Sequence, residues 1–535
     1  MALPQSNKKA FINGKIYTVN EKQPYAESVI IEKNKIIFAG SAEQAEKLID
    51  KSTQIINLDG KLMLPGFIDA HVHLINAGFS LLGINLHEAK SMKEFKETLM
   101  KYLSKNKGEW ITGGYWDHEQ WNEKKLPDKK LIDDITLNVP VFVERIDGHM
   151  GLANSYALKL AGIHKDTPDP EGGLIVKDPE TGEPTGILKD NAMTLVYKVI
   201  PQPNFIDYFE AAVEALKAAK QFGVTGVHDI SYKEHLKVYE QLENEGKLSC
   251  RFYSILPITE SKYLLDSLLG YNKSGKIKVG GLKAYADGSL GSSTAWFFEP
   301  YAQDTSLTGL PSDIILNGKL EQWTIDADKN GLQVCTHAIG DRANTSVLDI
   351  NEKIREEDPP RDRRFRIEHA QHIRPADIPR FAENEIIASC QPYHAIDDGV
   401  WAEKRIGKVR IRYSYPYKSF LKEGVKVSFG SDWPVAPVNP LMGIYAAVTR
   451  RTLDDKNPDG WIPEQKITVE QAIKCYTINN AFASFEENIK GSIEPGKLAD
   501  LVILDQDILT IDPVKIKDTK VIMTILDGEI IYQAK

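Results

Sequence analysis

The sequence predicts a TIM-like (β/α)8 barrel carrying a small β-sandwich built from both ends of the chain. Three observations predict it. The middle of the chain alternates short, apolar, β-rich runs with helical patterns, in about eight units. Both ends are dense in short strands and turn signals. Polar residues with metal-ligand chemistry stand directly after several of the apolar runs, where a barrel displays its active site. A doubly wound sheet is the competing topology, but no GxGxxG follows any of these runs.

At the N-terminus, KAFINGKIYTVN places apolar and aromatic residues around Asn13-Gly14, a hairpin signal. ESVIIEKNKIIFAG turns at Lys33-Asn34-Lys35, and QIINLDGKLMLPGF turns at Asp59-Gly60. GSIEPGKLADLVILD and VIMTILDGEIIYQ, with Asp527-Gly528, repeat that texture near the C-terminus. Pairing the two ends removes the open edges each set would otherwise leave. The expected division is therefore 1–62 and 486–535 for the sandwich and 63–485 for the barrel. Barrel strands are read in GVTGVHDI (223–230), KIKVGGLKAYADG (276–288), GLQVCTHAIG (331–340), RRFRIEHAQ (363–371), IIASCQP (386–392) and GVKVSFGSDWP (424–434). Phe209 to Phe222 has Ala and Leu at helical spacing. Two stretches, about 81–140 and 150–200, hold too few strand–helix units for barrel repeats. With Gly172-Gly173 and Pro184-Thr185-Gly186, they read as insertions over the barrel mouth.

Composition narrows the function. The chain has 535 residues and a mass of 60.0 kDa, enough for a barrel of roughly 250 residues plus insertions and a second domain. Hydrophobic residues make up 42% and charged residues 26%, an ordinary globular balance. The net charge of −9 and the absence of a basic run argue against a nucleic-acid partner. Four scattered cysteines, none in a CxxC, form neither a disulfide framework nor a zinc knuckle. The first twenty residues lack a signal-peptide pattern, and no run approaches ~20 apolar residues. The expectation is a cytoplasmic protein that binds no membrane and acts on a small molecule.

The sharpest local signal is LPGFIDAHVHL (64–74). His71 and His73 are two apart, so on a strand their imidazoles share a face and can chelate one borderline ion such as zinc. Gly66 and Asp69 suit a turn and a buried hydrogen-bonding position. Paired histidines are also ordinary half-exposed strand residues. That reading weakens because Lys283, His337, His369 and Asp432 each follow an apolar strand.

In that order, HxH, Lys, His, His, Asp, the chain resembles the amidohydrolase superfamily. Its wider wording is similar to the YtcJ-like branch, amidohydrolase family 3. The matching phrases are LPGFIDAHVHL, DGHMGLANSYAL, PTGILKD, GLKAYADGSLGSSTA, HAIGDRA, RIEHAQ, GSDWPV and GSIEPGKLADLVILD. The resemblance implies one or two divalent ions, with zinc fitting imidazole plus carboxylate and iron or manganese fitting almost as well. His71, His73 and Asp432 would hold one ion, and His337 and His369 a second. Lys283 would react with CO2 to give an anionic carbamate bridging both ions; alternatively it stays an amine, binding a substrate carboxylate or Asp287. A metal-activated hydroxide would attack, with Asp432 as general base and acid. Asp432 as a merely structural carboxylate is the other reading.

Further substrate-contact candidates are Tyr115, Trp116, Asp117 and His149 in or beside the insertions, and Asp287, Arg342, Gln391, His394 and Trp433 near strand ends. Core packing or loop capping is an equal reading for each. His228, ending a strand read as the third, also opens on the mouth, whereas His87, His118, His164, His235 and His372 are read as structural or surface residues. The expected activity is hydrolysis of a non-peptide C–N bond in an amide, N-acyl or N-formyl substrate. Deamination, ester or lactone hydrolysis, and an inactive scaffold are the alternatives. Gly340 counts against deamination, because several deaminases of the superfamily carry Glu at that place. The family resemblance also implies a homodimer.

Overall fold

The computed structural model describes residues 8–104, 110–261, 265 and 275–535. Residues 1–7, used in reading the N-terminus, and 105–109, within the first excursion, lie outside the described residues.

Eight strands form one parallel sheet in chain order: β1 (Phe67–Val72), β2 (Val224–Ile230), β3 (Arg251–Pro257), β4 (Ile277–Tyr285), β5 (Gln333–Ala338), β6 (Arg366–His369), β7 (Ile387–Cys390) and β8 (Val427–Phe429). After β8 the chain returns to β1, where the Asp432 amide donates to His71 O at 2.7 Å and the His73 amide to Trp433 O at 2.9 Å. The sheet is thereby a nearly closed barrel. Its strands are buried along their whole length in β1, β2 and β5, which is why they read as continuous apolar runs. The helix before β2 runs Phe205–Ala219, starting earlier than its spacing implies because Asn204 and Asp207 form a capping box.

Three expectations change. β3 escapes the sequence reading, so GVTGVHDI is the second barrel strand rather than the third. The two excursions are one structure: strands Ile84–Asn85, Ile111–Trp116, Val141–Arg145, Met150–Ala153, Gly173–Lys177 and Pro184–Asp190 make a single six-stranded sheet between β1 and β2. Asn13-Gly14 is no hairpin. Lys8–Ile12 pairs with Ser28–Glu32 and Gln54–Asn57, whereas Lys15–Tyr17 pairs with strands of another sheet, so the turn carries the chain from one layer to the next. True hairpins do form at Lys33-Asn34 and at Asp527-Gly528.

Those two layers are the sandwich. One sheet holds Lys35–Gly40, Ser28–Glu32, Lys8–Ile12 and Gln54–Asn57. The other joins Leu62–Pro65 near the start of the chain to Leu501–Leu504 near its end, so both chain ends share a sheet. Phe11, Ile31, Met63, Leu501 and Ile525 are buried together as its core. Arg251, at the start of β3, ties the barrel to this unit, with Nε 2.6 Å and Nη2 3.1 Å from the Asp500 carboxylate. Among the described residues no helix is long and apolar enough to cross a membrane, and all four cysteines are buried free thiols.

Candidate metal centre and substrate cavity

The strand ends gather the histidines. His71 Nε2 and His73 Nε2 lie 3.5 and 3.3 Å from Asp432 Oδ1, so the shared face read from their spacing is present. Asp69 fixes this corner: its Oδ1 accepts from the His71 amide at 3.1 Å and the Ser431 amide at 2.9 Å. Gly430 permits the approach, since a Cβ there would sit 2.5 Å from His71 N. The His71 and His369 rings are 5.0 Å apart and those of His369 and His337 4.4 Å, by centroid. Lys283 Nζ is 3.4 Å from His71 Nε2. All six residues that the sequence singles out thus surround one point at the mouth.

Each key imidazole has one nitrogen held from behind and one left facing inward. His71 Nδ1 donates to Glu368 Oε2 at 2.5 Å, His369 Nδ1 to Gln391 Oε1 at 2.9 Å, and His337 Nε2 to Gly288 O at 3.0 Å. That arrangement orients and polarises metal-binding histidines. Burial, reinforced by Lys283, pushes His71 down to about 4, and burial holds His337 and His369 well below the ordinary histidine value. All three imidazoles are therefore neutral at neutral pH, the form in which histidine can take up a metal ion. Burial also lowers Lys283, against the pull of Glu368 and Asp432. Burial alone would raise Asp432; His71 and His73 outweigh it and keep the carboxyl ionised.

Donor atoms of His71, His369 and Asp432 all lie within 4.8 Å of one another, a fit for one divalent ion. This trio cuts across the division read from the sequence, which put His71 with His73 and His369 with His337. The reason lies in the backbone. His369 and Asp432 have φ of 73° and 61°, so both strand ends swing out of strand alternation and aim these side chains at the barrel axis.

A cavity of about 310 Å³ opens over this point. His73, Lys283, His337, His369 and Asp432 line its base, and the inserted sheet supplies one wall through Tyr115, Asp117, Arg145, Asp147 and His149. Buried polar links lock that sheet to the barrel loops. Arg145 pairs with Asp117 at 2.6 Å and Asp147 at 2.8 Å, and Asp147 accepts from Ser289 and, at 2.9 Å, from Ser292. Arg405 reaches Glu119 at 2.6 Å, and Gln120 reaches Asp397 at 2.9 Å.

The remaining candidates divide. Tyr115, Asp117, His149 and His394 line the cavity. Trp116 is instead fully buried in the core of the insertion, with Nε1 donating to Val143 O. Trp433 packs in the barrel core and contributes its backbone to the closure. Arg342 is exposed and stacks on Trp296 at 4.4 Å, outside the cavity lining. Asp287 is saturated by the amides of Trp296, Ile339 and Gly340, so it clamps the β4 loop onto β5 and is no partner of Lys283. Gln391 acts behind His369 rather than facing the cavity. His228 is held by Arg366 inside the barrel at 2.9 Å, away from the mouth, whereas His235 lines the cavity.

Glu368 and Arg145 escape the sequence reading. Glu368 adjoins His369 in RIEH, and strand alternation would send the two to opposite sides; only the positive φ of His369 lets both serve the site. Arg145 sits two residues before Asp147-Gly148-His149, a polar cluster that marks the segment.

A model of the amidohydrolase family matches residues 54–532. The chain belongs to the amidohydrolase family. This amidohydrolase is 40% identical over 507 residues to Protein LONG AFTER FAR-RED 3 of Arabidopsis thaliana, covering 92% of this chain and 86% of that one. It is 34% identical to Putative amidohydrolase YtcJ of Bacillus subtilis (strain 168), over 97% of this chain and 98% of that one. It is 27% identical to N-substituted formamide deformylase of Arthrobacter pascens, over 98% of each. Among solved structures, an uncharacterized metal-dependent hydrolase from Pyrococcus horikoshii OT3 is similar with a TM-score of 0.77 and 30% identity, covering 95% of this chain and 99% of that one. The coarse activity is that of a metal-dependent hydrolase.

Proposed function

We propose that this amidohydrolase cleaves a non-peptide C–N bond in an N-acyl or N-formyl amine. The observation that carries the reading is the convergence of donor atoms of His71, His369 and Asp432 beside an open cavity, each imidazole braced through its other nitrogen. Its similarity to the formamide deformylase supports the choice of bond.

His71, His73, His337, His369 and Asp432 would hold one or two divalent ions, zinc being the first choice for this donor set. An ion held there would supply Lewis acidity, polarising a carbonyl and acidifying water enough to react near neutral pH. Asp432 accepts the proton that the attacking water gives up and returns it to the departing nitrogen. The C–N bond breaks, a C–O bond forms, and the products are a carboxylic or formic acid and an amine. Lys283, lowered towards its neutral amine by burial, is suited to add to CO2 with loss of a proton, and the resulting anionic carbamate would supply further oxygen donors for an ion. Gly340 disfavours deamination sterically: a Cβ there would lie 2.0 Å from Trp296 O, so no glutamate fits.

The test is a panel of N-formyl and N-acyl amines, the matching esters, and aromatic amines, assayed on zinc-loaded protein for amine, acid and ammonia. Amides should be turned over with release of the amine. Asp432→Asn should lower kcat by about 10²–10⁴-fold. Turnover of esters alone, or ammonia as the product, overturns the reading.

A further inference from the structure

The cavity lining carries a carboxylate that the reaction does not use. Glu144, on the inserted strand Val141–Arg145, lines the cavity, and among the described residues it meets no Lys or Arg in an ion pair. Its side-chain partner is the Tyr197 hydroxyl, and burial raises its carboxyl above the ordinary value. Around it the cavity is walled by Tyr115, Tyr197 and Tyr232.

Tyr115 is placed there by an unusual backbone. Gly113, Gly114 and Tyr115 all have positive φ, and the register between Ile111–Trp116 and Val141–Arg145 shifts between Gly113 and Trp116. Only glycine adopts such angles freely, and a tyrosine held there marks a position where structure is traded for the aim of a side chain. The Tyr115 hydroxyl reaches Asn76 O at 3.3 Å, which leaves its ring face to the cavity.

The other charges on this wall are engaged. Arg145 is shared between Asp117 and Asp147, and His149 Nδ1 is 2.7 Å from Asp190. Asp398 accepts from Tyr415, Asp397 from Gln120, and Lys283 belongs to the metal centre. Among the described residues of the wall, no cation is left to receive an anionic substrate group. Outside the metal centre, three described carboxylates of the lining, Glu144, Asp397 and Asp398, meet no Lys or Arg, and Glu144 is the one set among Tyr115, Tyr197 and Tyr232. Aromatic faces beside a carboxylate are the surroundings that an alkylammonium prefers.

We infer that the substrate carries a basic amino group besides its scissile amide, bound between Glu144 and the faces of Tyr115, Tyr197 and Tyr232. This rests on the amide-hydrolase reading for the reacting end of the substrate. The cation site itself stands on the wall residues alone, and none of these is a metal-ligand candidate.

The experiment uses zinc-loaded full-length protein and three mono-N-formyl amines of equal length, ending in an ammonium, a methyl or a carboxylate. In parallel, pentylammonium and pentanol alone are titrated calorimetrically. Wild type should prefer the ammonium substrate and bind pentylammonium over pentanol. Glu144→Gln should cut the ammonium-to-methyl ratio of kcat/KM by about 10–100-fold, the range for a hydrogen bond to a charged group. Glu144→Lys should shift the preference to the carboxylate substrate. Equal use of all three substrates, or no advantage of pentylammonium over pentanol in wild type, overturns the inference whether or not the variants fold. If pentylammonium binds and depends on Glu144 while no formamide is cleaved, the reaction assignment fails and the cation site stands.

Discussion

Gln391 shows what a side chain can do one step back from the chemistry. Its Oε1 lies 2.9 Å from His369 Nδ1, which fixes the tautomer and turns Nε2 to the metal centre. Gln391→Ala should weaken metal binding by about 10–100-fold in a competition with a chromogenic chelator, and Gln391→Glu, which keeps an acceptor there, should recover part of the loss. Away from the site, His372 is buried, and burial together with Arg410 pushes it down to about 3. Its folded value is depressed, so between the ordinary histidine value and about 3 the unfolded chain binds a proton that the native protein does not. Stability from this group is therefore complete above that window and falls as pH drops through it. Wild type should lose about 1.4 kcal/mol per pH unit relative to His372→Gln across it, read from urea unfolding at stepped pH. At this scale the gathering of His71, His73, Lys283, His337, His369 and Asp432 at the strand ends is legible, because the two histidines share a strand face and the other four each follow an apolar run. The braces are not. Glu368 and Gln391 acquire their roles from backbone turns at strand ends, which leave no periodic trace in the sequence.

The loop between β4 and β5 behaves as an element of its own, pinned by Asp287 to the amides of Trp296, Ile339 and Gly340. Because a Cβ on Gly340 would meet the Trp296 backbone at 2.0 Å, Gly340→Ala must displace that loop. It should cost about 1–3 kcal/mol in chemical unfolding, and it should lower kcat as well, since His337 ends β5 and Lys283 lies near the end of β4. Barrel strands are legible in the sequence where an apolar run is flanked by turns. β3 leaves no such signal although its first six residues are buried, because it opens on Arg251, whose charge is spent on the sandwich carboxylates of Asp500 and Asp527. The inserted sheet was divided in two for a related reason. Ile84–Asn85 is two residues long, and Ile111–Trp116 contains Gly113-Gly114, so neither shows strand periodicity.

For the molecule as a whole, the metal centre couples the two ends of the barrel sheet. Asp432 follows β8, His71 ends in β1, and their side chains would share an ion across the closure. Removing the metal with a chelator should abolish activity and lower Tm, with both restored by zinc, because an ion that binds only the native state stabilises it by mass action. Native mass spectrometry before and after chelation should also show the mass of one CO2 leaving with the ions; its absence from the loaded protein would reject the Lys283 carbamate. Barrel class and the pairing of the two chain ends were readable from where strand-rich sequence lies. The shape of the cavity was not, because its walls come from segments that meet only through tertiary contacts.

The bonds of Ser289 and Ser292 to Asp147, the Arg405–Glu119 pair and Gln120–Asp397 fasten the inserted sheet to the barrel loops on several sides at once. A roof bolted down in this way resists swinging open as one piece. Reactants would have to pass through a permanent doorway, so the width of that doorway, and not the strength of the bond to be cut, sets the largest molecule this protein can process.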